Sequence, residues 1–305
     1  MQKEKNKVLN KVLIDKIMHY IFLGIGLICA SSIILIVAFI FIKGLRPFVL
    51  KYDGVRINLF KFLFGTSYTT NKYGVLGLVI NTIVIVAFSA LLALPISVLS
   101  ALFIVQVAPK KLGIFFQMIV ELLAAIPSII YGLFGMGVIN PLVRDLAKIF
   151  SLQTAGGISM LSVIIVLTMM IVPTITMLSI TSMRAVKKDL ISASLALGAT
   201  KSQTNYKIVI GGAKSGIFAA LILGIGRAMG EATAVSMVCG GATGIAISLF
   251  SPTATITSTM IQGIHESTGL NYDIRFSLGI VLIVIIFVTN VALNLIKKRI
   301  SKNDH

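Results

Sequence analysis

Charge is what this sequence has least of. Only 12% of its 305 residues are charged and 57% are hydrophobic, where a soluble globular chain carries about 25% charge. A chain of this length would otherwise read as about two soluble domains, but too little polar surface is present to enclose them. Histidine and cysteine are nearly as scarce. His19, His265 and His305 are scattered, which excludes a histidine metal cluster. Cys29 and Cys239 lie in apolar segments without metal-ligand spacing and say nothing about redox compartment. Acid is short as well: ten Asp and Glu stand against 27 Lys and Arg, a net charge of +17. Such an excess often signals nucleic acid, but here the basic residues sit between long uncharged stretches. No small-x-small cleavage site follows the first apolar run, so that run is expected to be a retained anchor.

What the sequence does have is apolar length. Mean hydropathy is +1.00, and the charge-poor runs approach or exceed the roughly 20 residues that cross a bilayer. They predict spans at 17–42, 74–109 with a kink at Pro95, 112–138 with Glu121 and Pro127, 158–180 with Pro173, 215–239 with Arg227 and Glu231, and 276–296. The expected class is an all-α integral membrane protein of six transmembrane helices. Its parts are an N-tail at 1–16, a first helix and outer loop at 17–73, a core at 74–296 and a C-tail at 297–305. Six spans put both termini on one side. Seventeen basic residues fall on that side and nine on the other, which predicts cytoplasmic termini although the first outer loop carries six of the nine.

Arg227 and Glu231 are the most informative residues. In a continuous helix a spacing of four puts them on one face, and each ionisable group at membrane depth costs at least about 2.5–3.5 kcal/mol. One reading is a self-neutralising structural ion pair. The other is that Arg227 offers its planar donor fork to an oxyanion while Glu231 holds or releases it. Gly224, Gly226 and Gly230 leave this helix thin enough for close approach. Glu121 either snorkels at the interface or takes part in the path. Irregular backbone around Pro127, Gly132, Gly135 and Gly137 suits a cavity, where Ser128 and Tyr131 supply hydroxyls. The segment 183–214 predicts a helix at 189–197, a turn at Gly198 and a second helix at 201–209. A hairpin with small residues at its bend suits docking, although an ordinary basic loop is the competing reading. GIGRAMG (224–230) has one residue too many for a dinucleotide fingerprint, and GGAKS (211–215) lacks the glycine spacing of a P-loop. No nucleophile and base pair up. An enzyme is not expected, and no ATP site belongs to the chain.

These residues resemble a known family. SASLALGAT (192–200) followed by IVIG (208–211) is similar to the EAA loop of ABC importer permeases, E-A-A-x3-G-x9-I-x-L-P. Ala193, Gly198 and Ile208 match, while Ser192, Ser194, Ile210 and Gly211 stand where the family has Glu, Ala, Leu and Pro. GRAMGEATAV (226–235) and ELLAAIPSIIYG (121–132) resemble phosphate importer permeases, and LFGTS (63–67) fits the outer loop before the second span. The Ala-Val after the Glu looks more PstC-like than PstA-like. The resemblance implies the type I, MetI-like permease fold. It implies a substrate path including Arg227 and Glu231, to which Glu121 and Ser128 are added from their own segment. It implies an ATPase-coupling loop carried by Ser192, Ala193, Ser194, Gly198, Ala199, Ile208 and Gly211. Implied partners are a homologous PstA-like permease, a PstB-like ATPase dimer holding ATP and magnesium, and an extracytoplasmic PstS-like phosphate-binding protein, with no cofactor on this chain and no nucleic acid. A permease for sulfate or molybdate, or an ATP-independent anion channel or carrier, are the competing functions.

Overall fold

A computed structural model describes residues 2–52, 56–69 and 72–302, with side chains from residue 14 to residue 299. Of the expected tails, Met1 and residues 303–305 lie outside the described residues. Among the described residues, six helical segments are long and apolar enough to cross a bilayer: Ile14–Val49, Leu76–Val107, Ser128–Ile149, Met160–Arg184, Lys201–Gly230 and Gly269–Arg299. The expected number of spans is right, and two of their positions are not.

Helix α1 (Gln2–Val49) runs unbroken from the expected tail through the first span. A short capped helix α2 (Leu59–Phe64) and a two-stranded antiparallel hairpin, β1 (Tyr68–Thr69) and β2 (Lys72–Tyr73), come next. Helix α3 (Leu76–Leu102) continues through Pro95 and a wide π-type turn, Phe103–Val107. Helix α4 (Lys110–Ala125) stops where Ile126 is forced extended (φ −63°, ψ 127°) by the proline behind it. A new helix then starts as α5 (Ser128–Phe134) and passes through a second π-type turn, Gly135–Ile139, into α6 (Asn140–Ile149).

The third span is therefore 128–149 rather than 112–138. An uncharged run measures apolarity and not helix continuity. Pro127 breaks the expected span, and the true one extends past Arg144, Asp145 and Lys148. The two cations share one carboxylate at the helix end, with Asp145 bonded to Arg144 at 3.1 Å and to Lys148 at 3.2 Å, which leaves a single net positive charge.

Helix α7 (Met160–Arg184) is the centre of the bundle. Val163, Ile164, Val166, Leu167, Met170, Ile171 and Ile175 are buried along it. Its main neighbour is α3, which turns Ser89, Ala93 and Ser97 toward it at helical spacing, all three fully buried. Small residues let the backbones approach, and the two hydroxyls bond across the gap, Ser89 to the Ile164 carbonyl at 3.2 Å and Ser97 to the Val172 carbonyl at 3.1 Å. The turn into α7 depends on Gly157, which has φ +90° and where a Cβ would lie 1.8 Å from the Asn140 carbonyl oxygen. Gly157→Ala is therefore expected to cost about 3 kcal/mol from backbone strain and collision together. A lowered thermal unfolding midpoint in detergent checks this, and an unchanged midpoint would contradict it.

Beyond α7 come α8 (Lys188–Ala196) and α9 (Lys201–Thr204). A π-type turn, Asn205–Val209, joins α9 directly to α10 (Ile210–Gly230). The fifth span is thus 201–230 and not 215–239: the hairpin's second arm and the span are one helix, which passes through Gly211 and ends at Gly230. Two short helices, α11 (Thr233–Val238) and α12 (Ile256–Ile261), lead to α13 (Gly269–Lys302), the last helix among the described residues. Helix α1 meets the bundle through α13. Phe39 meets Phe276 edge-on at 5.5 Å, Ser277 Oγ bonds the Gly44 carbonyl at 2.6 Å, and Lys43 reaches the buried Asp273 at 3.7 Å. From Ile14 to Leu45 most of its other apolar side chains face outward, as they do on a helix that meets lipid or another subunit.

Candidate functional site

Arg227 stands on the last turn of α10, on a helix whose one other charge is Lys214, more than three turns back. Packing brings α10 against α7 because Gly224 has no side chain: a Cβ there would lie 2.8 Å from the Ile175 side chain. At Gly226 and Gly230 the space a Cβ would fill is open, so only one of the three glycines is needed for helix contact within this chain. Arg227 Nη1 donates to Thr174 Oγ1 of α7 at 2.7 Å. An open cleft of about 690 Å³ begins at this pair. Its polar lining is Thr174, Arg227, Asn290 and Asn294, contributed by α7, α10 and α13, and the rest is apolar surface of α10.

Glu231 is not on the Arg227 face. The helix ends one residue earlier, Glu231 takes an extended backbone (φ −73°, ψ 120°), and its Oε1 accepts the Ala234 backbone N–H at 3.0 Å. Its carbonyl accepts the Thr257 hydroxyl at 2.7 Å. The carboxylate is thus occupied in satisfying the first turn of α11. Among the described residues no carboxylate lies within ion-pair distance of Arg227. The expected pairing of Arg227 with Glu231, structural or regulatory, is overturned. It assumed a continuous helix across Gly230, and the chain breaks there.

Glu121 is likewise not on the third span, because α4 is a separate helix. It is exposed and accepts from Gln117 Nε2 at 2.8 Å, while Gln117 Oε1 accepts from Arg184 Nη2 at 2.7 Å. This chain of bonds ties α4 to the end of α7. Ser128 begins α5, half-buried, and neither residue lines the Arg227 cleft. Tyr131 bridges the Pro127 break by donating to the Leu123 carbonyl at 2.8 Å.

The hairpin takes the expected form. Helix α8 ends at Ala196, Gly198 turns the chain at φ +84°, and Thr200 starts the next helix with a reciprocal cap. Thr200 Oγ1 accepts the Gln203 N–H and Gln203 Oε1 accepts the Thr200 N–H. Ser194 and Thr204 clasp the two arms by a 2.9 Å hydroxyl bond. Ser192, Ala193 and Gly198 are exposed, Ala199 and Ile208 are half-buried, and Leu197 at the bend is 90% exposed. Large apolar side chains at a loop tip mark a contact surface, and Leu190 and Leu195 are exposed beside it. The leucines were invisible to motif reading because Leu195 and Leu197 fall at its three unspecified positions and Leu190 precedes it.

Thr174, Asn290 and Asn294 were also missed. Asn290 and Asn294 lie inside the uncharged run 276–296, where counting charges hides amides; two asparagines four residues apart on a lipid-length helix were the available signal.

The sequence matches the family model described as "Binding-protein-dependent transport system inner membrane component" over residues 93–302. It is similar to the probable ABC transporter permease protein YqgH of Bacillus subtilis, 32% identical over 268 residues that cover 86% of this chain and 84% of that one. It is also similar to the phosphate transport system permease protein PstC of Xylella fastidiosa, 32% identical over 259 residues and 80% of each chain. Among solved structures, a bacterial alginate ABC transporter in complex with an alginate pentasaccharide-bound periplasmic protein superposes with TM-score 0.60, 17% identity, and coverage of 90% of this chain and 94% of that one. The inward-facing MetNI methionine ABC transporter superposes with TM-score 0.58, 18% identity, and coverage of 73% and 94%. These two likenesses concern the fold.

Proposed function

The chain belongs to the family of binding-protein-dependent transport system inner membrane components, and on that premise we propose that it is the PstC-like permease of an ATP-driven phosphate importer. The family and the fold make it a multi-pass ABC importer permease of the MetI-like type, a transporter subunit rather than an enzyme. Phosphate as the cargo is supported by the naming of the relative in Xylella fastidiosa and of others like it. The observation that carries the reading is the Arg227 guanidinium, held by a hydroxyl in an open cleft of a mostly apolar bundle with no carboxylate among the described residues to neutralise it. A fixed cation of this kind offsets the cost of taking an oxyanion out of water, which hydrocarbon cannot do.

In this reading a second, PstA-like permease covers the cleft and completes the path, and a phosphate-binding protein delivers the anion from outside. The 184–214 hairpin seats in a PstB-like ATPase dimer, which holds ATP and magnesium. The Lys and Arg distribution orients both termini toward the cytoplasm, so the hairpin faces the ATPase. Glu231 supports the path indirectly by fixing the end of α10, and any part Glu121 and Ser128 take in it lies away from the Arg227 cleft, whose lining does not include them.

The test is labelled-phosphate uptake by vesicles containing the purified complex and its binding protein. ATP-dependent uptake that excess sulfate and molybdate leave unchanged is the expected result. Competition by either anion would transfer the assignment to another oxyanion, and uptake without ATP would favour a channel or carrier.

A further inference from the structure

Arg227 explains attraction of an anion but not which anion. At neutral pH sulfate and molybdate carry only acceptor oxygens, whereas phosphate keeps at least one O–H. A cleft of donors alone serves the first kind and leaves the phosphate O–H without an acceptor, a loss that discriminates strongly in a water-poor site. A carboxylate would accept that hydrogen but would also neutralise Arg227 and repel the anion. The cleft is lined by neither a carboxylate nor a further cation. It holds Asn290 and Asn294, four residues apart on one face of α13, in the same cleft as the Arg227–Thr174 pair. Asn290 is half-buried and Asn294 exposed, and among the described residues neither amide has a hydrogen-bond partner, so both are free to meet a ligand in the cleft. Each amide offers two donors and a neutral acceptor.

We propose that Asn290 and Asn294 form, with Arg227 and Thr174, a subsite selective for a protonated oxyanion. The amide oxygens accept the phosphate O–H while the amide N–H groups and the guanidinium bind its charged oxygens. Thr174 fixes the guanidinium, and its own hydroxyl hydrogen stays available to the anion because Thr174 Oγ1 is the acceptor in the Arg227 bond. The subsite deepens the phosphate reading and rests on it.

The experiment uses the whole complex in vesicles with inorganic phosphate and compares the parent with two variants. In the double variant Asn290→Leu, Asn294→Leu, apolar bulk replaces both amides, and uptake is expected to fall at least tenfold. Asn290→Asp keeps the shape but adds negative charge to the cleft that holds Arg227, and it is expected to fall further. Both are expected to keep the subunits together and basal ATP hydrolysis unchanged, a combination that loss of packing does not produce. If the parent takes up phosphate and both variants equal it, the subsite is wrong and the phosphate reading stands. Loss of the complex in both variants assigns the asparagines to subunit packing and overturns the subsite. Absence of phosphate uptake in the parent overturns the phosphate reading and the subsite with it.

Discussion

Arg227→Gln is expected to stop phosphate uptake while the subunits stay together and ATP hydrolysis continues. Glutamine keeps a donor amide but ends two bonds short of Nη1, so the 2.7 Å contact with Thr174 is not kept, whereas the packing of α10 on α7 rests on Gly224 against Ile175 and is untouched. What is lost is the positive charge and the two-pronged donor. A charge-assisted hydrogen bond contributes about 1.5–3 kcal/mol, and a phosphate meeting the fork makes two. The loss is then about 3–6 kcal/mol, and uptake should drop at least about 100-fold. Arg227→Lys separates charge from shape: it restores the charge without the planar fork and should recover only part of the rate. Because no carboxylate lies against Arg227 among the described residues, the substitution leaves no orphaned acid. A defect can therefore be read as a transport defect. Uptake within twofold of the parent in the Gln variant would remove Arg227 from the path.

Most of the helical architecture was legible because one physical quantity, apolar length, decides both insertion and sequence pattern. Charge-poor runs located four spans well. They failed where the backbone breaks without a change of hydropathy. Ile126 is as apolar in an extended turn as in a helix, and the stop at Gly230 needs only a flexible residue and a carboxylate able to cap the next helix. The site was legible in the same partial way. Arg227 announces itself, since an arginine inside an apolar run is too costly to be incidental. Its supposed partner did not survive, because a spacing of four implies a shared face only if the helix runs through. Thr174 and the two asparagines come from helices more than 50 residues away in sequence, and only packing brings them to one cleft. The hairpin was the most legible part, because its shape is set locally by Gly198 and by a cap at Thr200 that can be read from neighbours in sequence.

That local determination gives the second large prediction. Gly198→Val should leave ATP hydrolysis running and separate it from transport. The space around Gly198 is open, with nothing within 4 Å of a built Cβ, so no collision opposes a side chain. The backbone opposes it: φ is +84°, a region that costs an ordinary L residue about 1–2 kcal/mol and a β-branched one more. Relief requires a negative φ, which would re-aim α8 against α9 and pull Ser194 off Thr204, now 2.9 Å apart. It would also swing Leu197, the most exposed side chain of the bend, away from its present direction. A bias of about 2–3 kcal/mol leaves only a few per cent of hairpins in the docking shape, so uptake per ATP hydrolysed should fall roughly 30-fold or more. Gly198→Asn is the control, since asparagine adopts the left-handed conformation at low cost; it adds a polar side chain but keeps the bend. Uptake per ATP near the parent value for Asn, with collapse for Val, ties coupling to the backbone shape. Parent-like ratios in both would show that the bend plays no part in coupling.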